Sequence, residues 1–75
     1  MVCFKIHFHS MDDIIDFVYL CNKLDCQADL VCGKYTVNAK SILGICSVDL
    51  SKTLNLNVHT ENEEQVRLTL KSYVT

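Results

Sequence analysis

The segment Val37–Leu50, VNAKSILGICSVDL, passes from a strand-like VNA through one Lys-Ser step into a short, mostly apolar run. Ser41 is placed to act as an N-cap. Its hydroxyl can accept a hydrogen bond from a backbone N–H of the first helical turn that otherwise lacks a partner. A hydroxyl at a helix N-terminus has a second reading, because backbone donors and the helix dipole also favour a phosphate there. On this segment alone both readings stay open.

Working outward, the flanking sequence supplies a repeating alternation of strand and helix patterns. Val2, Phe4, Ile6 and Phe8 alternate with Cys3, Lys5 and His7, the period-two pattern of a half-buried strand. Ser10 then opens SMDDIIDFVYLCNKL. Met11, Ile14, Ile15, Val18 and Cys21 recur there at helical spacing, and Phe17, Leu20 and Leu24 widen the apolar face. Ser10 with Asp13 three residues later resembles a capping box with Asp in place of Glu. Asp12 and Asp13 lie in the first turn, where the dipole favours acids.

The runs QADLVC and KYTVNA, joined near Gly33, predict a β-hairpin. SILGICSVD predicts a short helix interrupted by Gly44. Leu54, Leu56 and Val58 alternate with Asn55, Asn57 and His59, a fourth strand. NEEQVRLTLKSYV closes the chain as a helix, with Asn62 as N-cap, Gln65 three residues on and Lys71 late. Its apolar stripe is Val66, Leu70 and Tyr73.

Four alternating strands need cover on one face only. The expected fold is therefore α+β, a two-layer open-faced β-sandwich in the order β-α-β-β-α-β-α. Three helices cover one face of a four-stranded antiparallel sheet, and residues 1–75 form a single domain. The open face is expected to carry Cys3, Lys5, His7, Asn55, Asn57 and His59.

Composition narrows the function. A chain of 75 residues buries only about 60% of its unfolded surface, which leaves little room for a deep pocket. Hydrophobic residues at 49% and charged residues at 21% are ordinary globular values. A formal net charge of −2 argues against a broad nucleic-acid surface. The apolar runs fall far short of a membrane span. MVCFKIHFHS lacks the basic start, apolar core and cleavage site of a secretory signal. The five cysteines, Cys3, Cys21, Cys26, Cys32 and Cys46, include no C-x-x-C pair and read as free thiols of a cytoplasmic protein. No cofactor is expected, and no metal: His7 and His59 can meet across neighbouring strands, but two histidines without a third ligand do not by themselves mark a site. No nucleophile–base pair, carboxylate pair or phosphate-binding glycine loop marks an enzyme.

The element order, together with Thr36-Val37-Asn38-Ala39-Lys40-Ser41-Ile42-Leu43-Gly44, resembles HPr, the histidine-containing phosphocarrier family of the bacterial sugar phosphotransferase system. Members typically read T/S-V-N-L-K-S-I-M-G there. The resemblance continues through Ser47 and Leu50. Asn22-Lys23-Leu24-Asp25 is similar to the S-K-F-D that closes the family's first helix. It covers nearly the whole chain, with shortened loops after the first strand and before the last helix.

The resemblance implies two phosphorylation sites. One is a histidine in G-[IL]-H-A-R-P at the start of the first helix, which takes phosphate from enzyme I. The other is the serine of K-S-I-M-G, modified by an ATP-dependent kinase in many Gram-positive bacteria; the modified protein then binds a transcriptional regulator. Ungapped alignment from Leu24-Asp25 puts Ser10 at the histidine, Met11 at the alanine, Asp12 at the arginine and Asp13 at the proline. A phosphoserine ester does not relay as the P–N bond of phosphohistidine does. Replacing arginine with Asp12 also removes bidentate phosphate bonding. At an effective dielectric of about 40, a doubly charged phosphoryl group ~6 Å from a carboxylate is repelled by roughly 2–3 kcal/mol.

The serine site keeps its parts. Ser41 matches the regulatory serine, Lys40 precedes it, and Ile42, Leu43 and Cys46 match the family's apolar docking patch. The expected function is a regulatory or docking protein that does not relay phosphate through histidine, with Ser41 as a phosphorylation switch. Its expected partners are proteins: a serine kinase, a transcriptional regulator or enzyme I. One alternative is a working phosphocarrier using His9, if the short loop shifts the alignment by one. Another is an interaction module outside sugar transport. The expected oligomeric state is monomer or weak dimer, since the exposed sheet and its edges can support association.

Overall fold

Alternation in separate stretches of the chain builds one dry sheet face. The computed structural model describes residues 1–46 and 52–74. Strands β1 (Val2–Ile6), β2 (Ala28–Cys32), β3 (Tyr35–Asn38) and β4 (Leu54–Val58) lie in the order β1-β4-β2-β3, with every neighbouring pair antiparallel. The register aligns Phe4, Leu56, Leu30 and Val37 in a row across all four strands. Phe4, Leu56 and Leu30 are buried and Val37 is half-buried. Adjacent rows point the other way: Lys5-Asn55-Val31-Thr36 and Cys3-Asn57-Asp29-Asn38. This is the open face.

Helices α1 (Met11–Cys21), α2 (Ile42–Cys46) and α3 (Glu63–Thr69) complete the expected β-α-β-β-α-β-α order. Ile14, Phe17, Val18 and Cys21 from α1, Ile45 from α2 and Val66 from α3 join the dry sheet residues in one core. Among the described residues no helix is long and apolar enough to cross a membrane.

Local signals explain most of the element boundaries. Cys32 pairs with Tyr35 across a two-residue turn, Gly33-Lys34. Gly33 has φ +60, while no described non-glycine residue has positive φ. Glycine first and a negative φ second is the arrangement of a type II′ turn, whose twist matches the strands it joins. The Asn62 side chain accepts from the Gln65 N–H at 3.1 Å and starts α3.

Two helix readings change. Met11 and Ile15 share the spacing of the apolar face of α1, yet they are 51% and 50% exposed. The apolar set of α1 is wider than the stripe the sheet can cover, so its edge stays in solvent. The last helix ends at Thr69, before Leu70 and Tyr73, and both are still buried because the turn after it folds onto the core. The expected continuation of the second helix through Ser47, Val48 and Asp49 lies outside the described residues, as does Leu50.

The C-terminal turn is anchored by aromatic packing. The rings of Phe8 and Phe17 lie 5.0 Å apart, and Tyr73 lies 5.7 Å from Phe17 and 6.0 Å from Phe8. The Tyr73 hydroxyl donates to Asp16 Oδ2 at 2.6 Å, and Val74 bridges Ile6 of β1. Edge-on aromatic pairs add roughly 0.5–1.5 kcal/mol beyond their buried area.

Burial pushes the Cys21 thiol up from 9.0 to about 12. Burial first, and then the bond to Asp16, pushes the Tyr73 phenol up from 10.0 to about 12. Both groups are acids that the fold keeps neutral, so the folded chain retains protons that the unfolded chain has lost. Their contribution to stability is complete below the unfolded values and is lost as pH rises toward 12. The urea midpoint should therefore fall through this alkaline range, with a shallower slope in Tyr73→Phe; parallel slopes would contradict the assignment.

Candidate functional site

Two serines cap two helices, and their surroundings differ. Ser10 precedes α1 in an extended conformation (φ −159, ψ 170), and its Oγ accepts from the Asp13 N–H at 3.4 Å. The Asp13 carboxylate turns back and accepts the His9 N–H at 2.9 Å. These two backbone donors are thus bonded within the chain, and Asp12 and Asp13 give the first turn negative charge. Ser10 and Asp12 are the residues expected above at the family's phosphohistidine and arginine. His9 is exposed, and its ring lies edge-on to that of His7 with centroids 4.9 Å apart.

The second serine closes a turn between β3 and α2. Asn38 Oδ1 accepts the Lys40 N–H at 2.9 Å, the Asn38 carbonyl accepts the Ser41 N–H at 3.1 Å, and Ala39 is buried between them. Ser41 Oγ accepts the Gly44 N–H at 3.2 Å, and the Ser41 carbonyl accepts the Ile45 N–H at 3.1 Å. Ser41 is therefore an N-cap. Its cap bond uses the oxygen as acceptor and leaves the hydroxyl proton out. A Cβ at Gly44 would stand 3.4 Å from Val37 Cβ, in ordinary van der Waals contact, so α2 packs directly against β3 there.

Lys40 is half-buried, and its ammonium donates to the Leu24 carbonyl at 2.8 Å. Asn22 Nδ2 donates to the Val18 carbonyl at 2.8 Å and to the Lys40 carbonyl at 3.3 Å. α1 has no basic residue in its last turn, so Lys40 brings positive charge to that end from a distant part of the chain. Asn22 enters the sequence only as the first residue of Asn22-Lys23-Leu24-Asp25, and no local pattern marks the latch from Lys40.

Ile42, Leu43 and Cys46 are all exposed, Leu43 at 85%. On α1 the exposed apolar residues are Met11, Ile15 and Tyr19, spaced i, i+4, i+8 along one face. The Lys23 ammonium lies 4.7 Å above the Tyr19 ring. Met11 and Ile15 have the helical spacing of a core face, so spacing alone does not mark them as surface.

The open sheet face carries Cys3, Lys5 and Asn55 exposed and Asn57 half-buried. His7 and His59 are not brought together. In the β1–β4 register Val2 faces Val58 and Ile6 faces Leu54, so the two histidines lie beyond opposite ends of the pair. His59 Nε2 lies 2.9 Å from Asp29 Oδ2 instead. Among the described residues no three His, Cys, Asp or Glu side chains gather as a metal site.

Residues 14–75 match the family described as "PTS HPr component phosphorylation site". The match begins downstream of Ser10. No curated protein sequence matches the chain. Among solved structures, HPr-C-His from Thermoanaerobacter tengcongensis is 26% identical, with TM-score 0.76, over 96% of this chain and 89% of that one. The phosphocarrier protein HPr from Bacillus anthracis is 23% identical, with TM-score 0.73, over 99% and 96%. The catabolite repression containing protein Crh of Bacillus subtilis, described as a swapped dimer, is 22% identical, with TM-score 0.66, over 93% and 87%. At these last two identities the likeness is one of fold.

The Lys40 latch should be measurable. Lys40→Met removes a charge-assisted bond to a carbonyl and should cost about 1–2 kcal/mol in urea denaturation. A variant as stable as the parent would show that the latch contributes nothing.

Proposed function

Since the chain belongs to the HPr family of the bacterial sugar phosphotransferase system, whose members carry phosphate rather than catalyse, we propose that this member is a docking and regulatory protein. In this reading it does not relay phosphate through histidine, and phosphorylation of Ser41 is its switch. Its partners are proteins of the kinds the family uses, a serine kinase and a transcriptional regulator, and it acts as a monomer or weak dimer. The Crh neighbour, named for catabolite repression, is a precedent for such a role.

The main support is the contrast between the two capped serines. At Ser10 a phosphoryl group would face Asp12 and Asp13, with His9 N–H and Asp13 N–H already bonded. At Ser41 the neighbours are Ile42 and Leu43, and no acid stands in the first turn. Esterification replaces the hydroxyl proton, so the oxygen can keep its bond to Gly44. The fold need not move, and the signal is a surface with about two added negative charges, readable by an arginine-bearing partner. Ile42, Leu43 and Cys46 supply the apolar contact beside it, and α1 exposes a second apolar stripe, Met11, Ile15 and Tyr19.

A carrier acting through His9 is the second reading, favoured by the exposure of that ring. The carboxylates of Asp12 and Asp13 count against it.

Incubation with the serine kinase and ATP should add one acid-stable phosphoryl group to the parent and none to Ser41→Ala. That variant should keep its fold, losing about 1 kcal/mol for the cap. Equal labelling of both proteins would refute Ser41 as the switch, and no labelling of either would favour an interaction module outside sugar transport.

A further inference from the structure

Phe8 is buried, whereas His7 and His9 on either side of it are exposed. The backbone there is held at two points. The Phe8 ring is wedged against Phe17 at 5.0 Å, and the His9 N–H is fixed to Asp13 Oδ2 at 2.9 Å. The two imidazoles are exposed, with centroids 4.9 Å apart and planes at 68°.

That separation has a chemical meaning. A cation binds an imidazole nitrogen at ~2.0–2.1 Å, and the ring centre lies ~1.1 Å beyond, so two rings sharing one ion have centroids ~3.2 Å from it. The two rings, 4.9 Å apart, lie within the ~6.4 Å that two imidazoles sharing one ion can span. Rotation about χ2, a soft torsion, aims one nitrogen of each ring at the shared point. The carboxylates of Asp12 and Asp13 lie next along the chain. The charge that repels a phosphate there attracts a cation.

We propose that His7 and His9 form a two-imidazole site for a borderline divalent transition cation such as nickel(II) or zinc(II). No third protein ligand is gathered among the described residues, so water completes the coordination. Imidazole ligands select this class over magnesium and calcium, which take oxygen ligands. The site is independent of Ser41 and of the docking reading.

Nickel(II) titration followed by imidazole proton NMR tests it, with His59 as the internal reference. The resonances of His7 and His9 should broaden together while those of His59 stay sharp. Both rings are exposed, so His7→Ala and His9→Ala remove no core packing. Each should weaken nickel(II) binding in isothermal titration by on the order of a hundredfold, since the surviving ligand loses its tethered partner. Broadening of His59 alongside the other two, or a single variant that binds as tightly as the parent, would overturn the proposal.

Discussion

A sheet with one apolar face constrains everything packed on it. In β1, β4 and β2 each second residue is apolar, and the register stacks Phe4, Leu56 and Leu30 into a continuous row. Burying such side chains stabilises the fold by about 1.5–3 kcal/mol each, while the Lys5 and Cys3 rows on the other face offer little. All three helices therefore collect on one side. Crowding them there requires a tight passage from β3 to α2, which the hydrogen bonds of Asn38 and Ser41 provide, and a seam between α1 and α2. Asn22 and Lys40 close that seam. Ser41 is thus built into a packing joint of the fold.

The two serine caps show why local structure and chemistry separate. Ser10 and Ser41 both accept an N–H three residues ahead. What differs is the charge that follows: Asp12 and Asp13 after one, Ile42 and Leu43 after the other. An acidic first turn repels anions and attracts cations, whereas the turn after Ser41 carries no acid. The His7–His9 pair lies on the acidic side of that division.

Short-range patterns in the sequence carried the strands, the helix starts and the hairpin. Period-two alternation, the side chains of Ser10, Ser41 and Asn62, and Gly33 each act within a few residues, so they are readable in order. Three things were not. The edge of α1 holding Met11 and Ile15 has helical apolar spacing like the core face, and only the width of the sheet decides which part is covered. His7 and His59 share a strand face by alternation, but antiparallel register places them at opposite ends. Lys40 with Leu24 and Tyr73 with Asp16 join positions 16 and 57 residues apart, and nothing in the intervening chain announces either bond.

The central claim is that this chain keeps the HPr scaffold while its first helical turn no longer accepts phosphate. Intact mass after incubation with enzyme I and phosphoenolpyruvate tests it most directly, with an acid treatment to expose any phosphohistidine. The account predicts an unchanged mass. An acid-labile phosphoryl group, lost in His9→Ala, would contradict it and restore the carrier role.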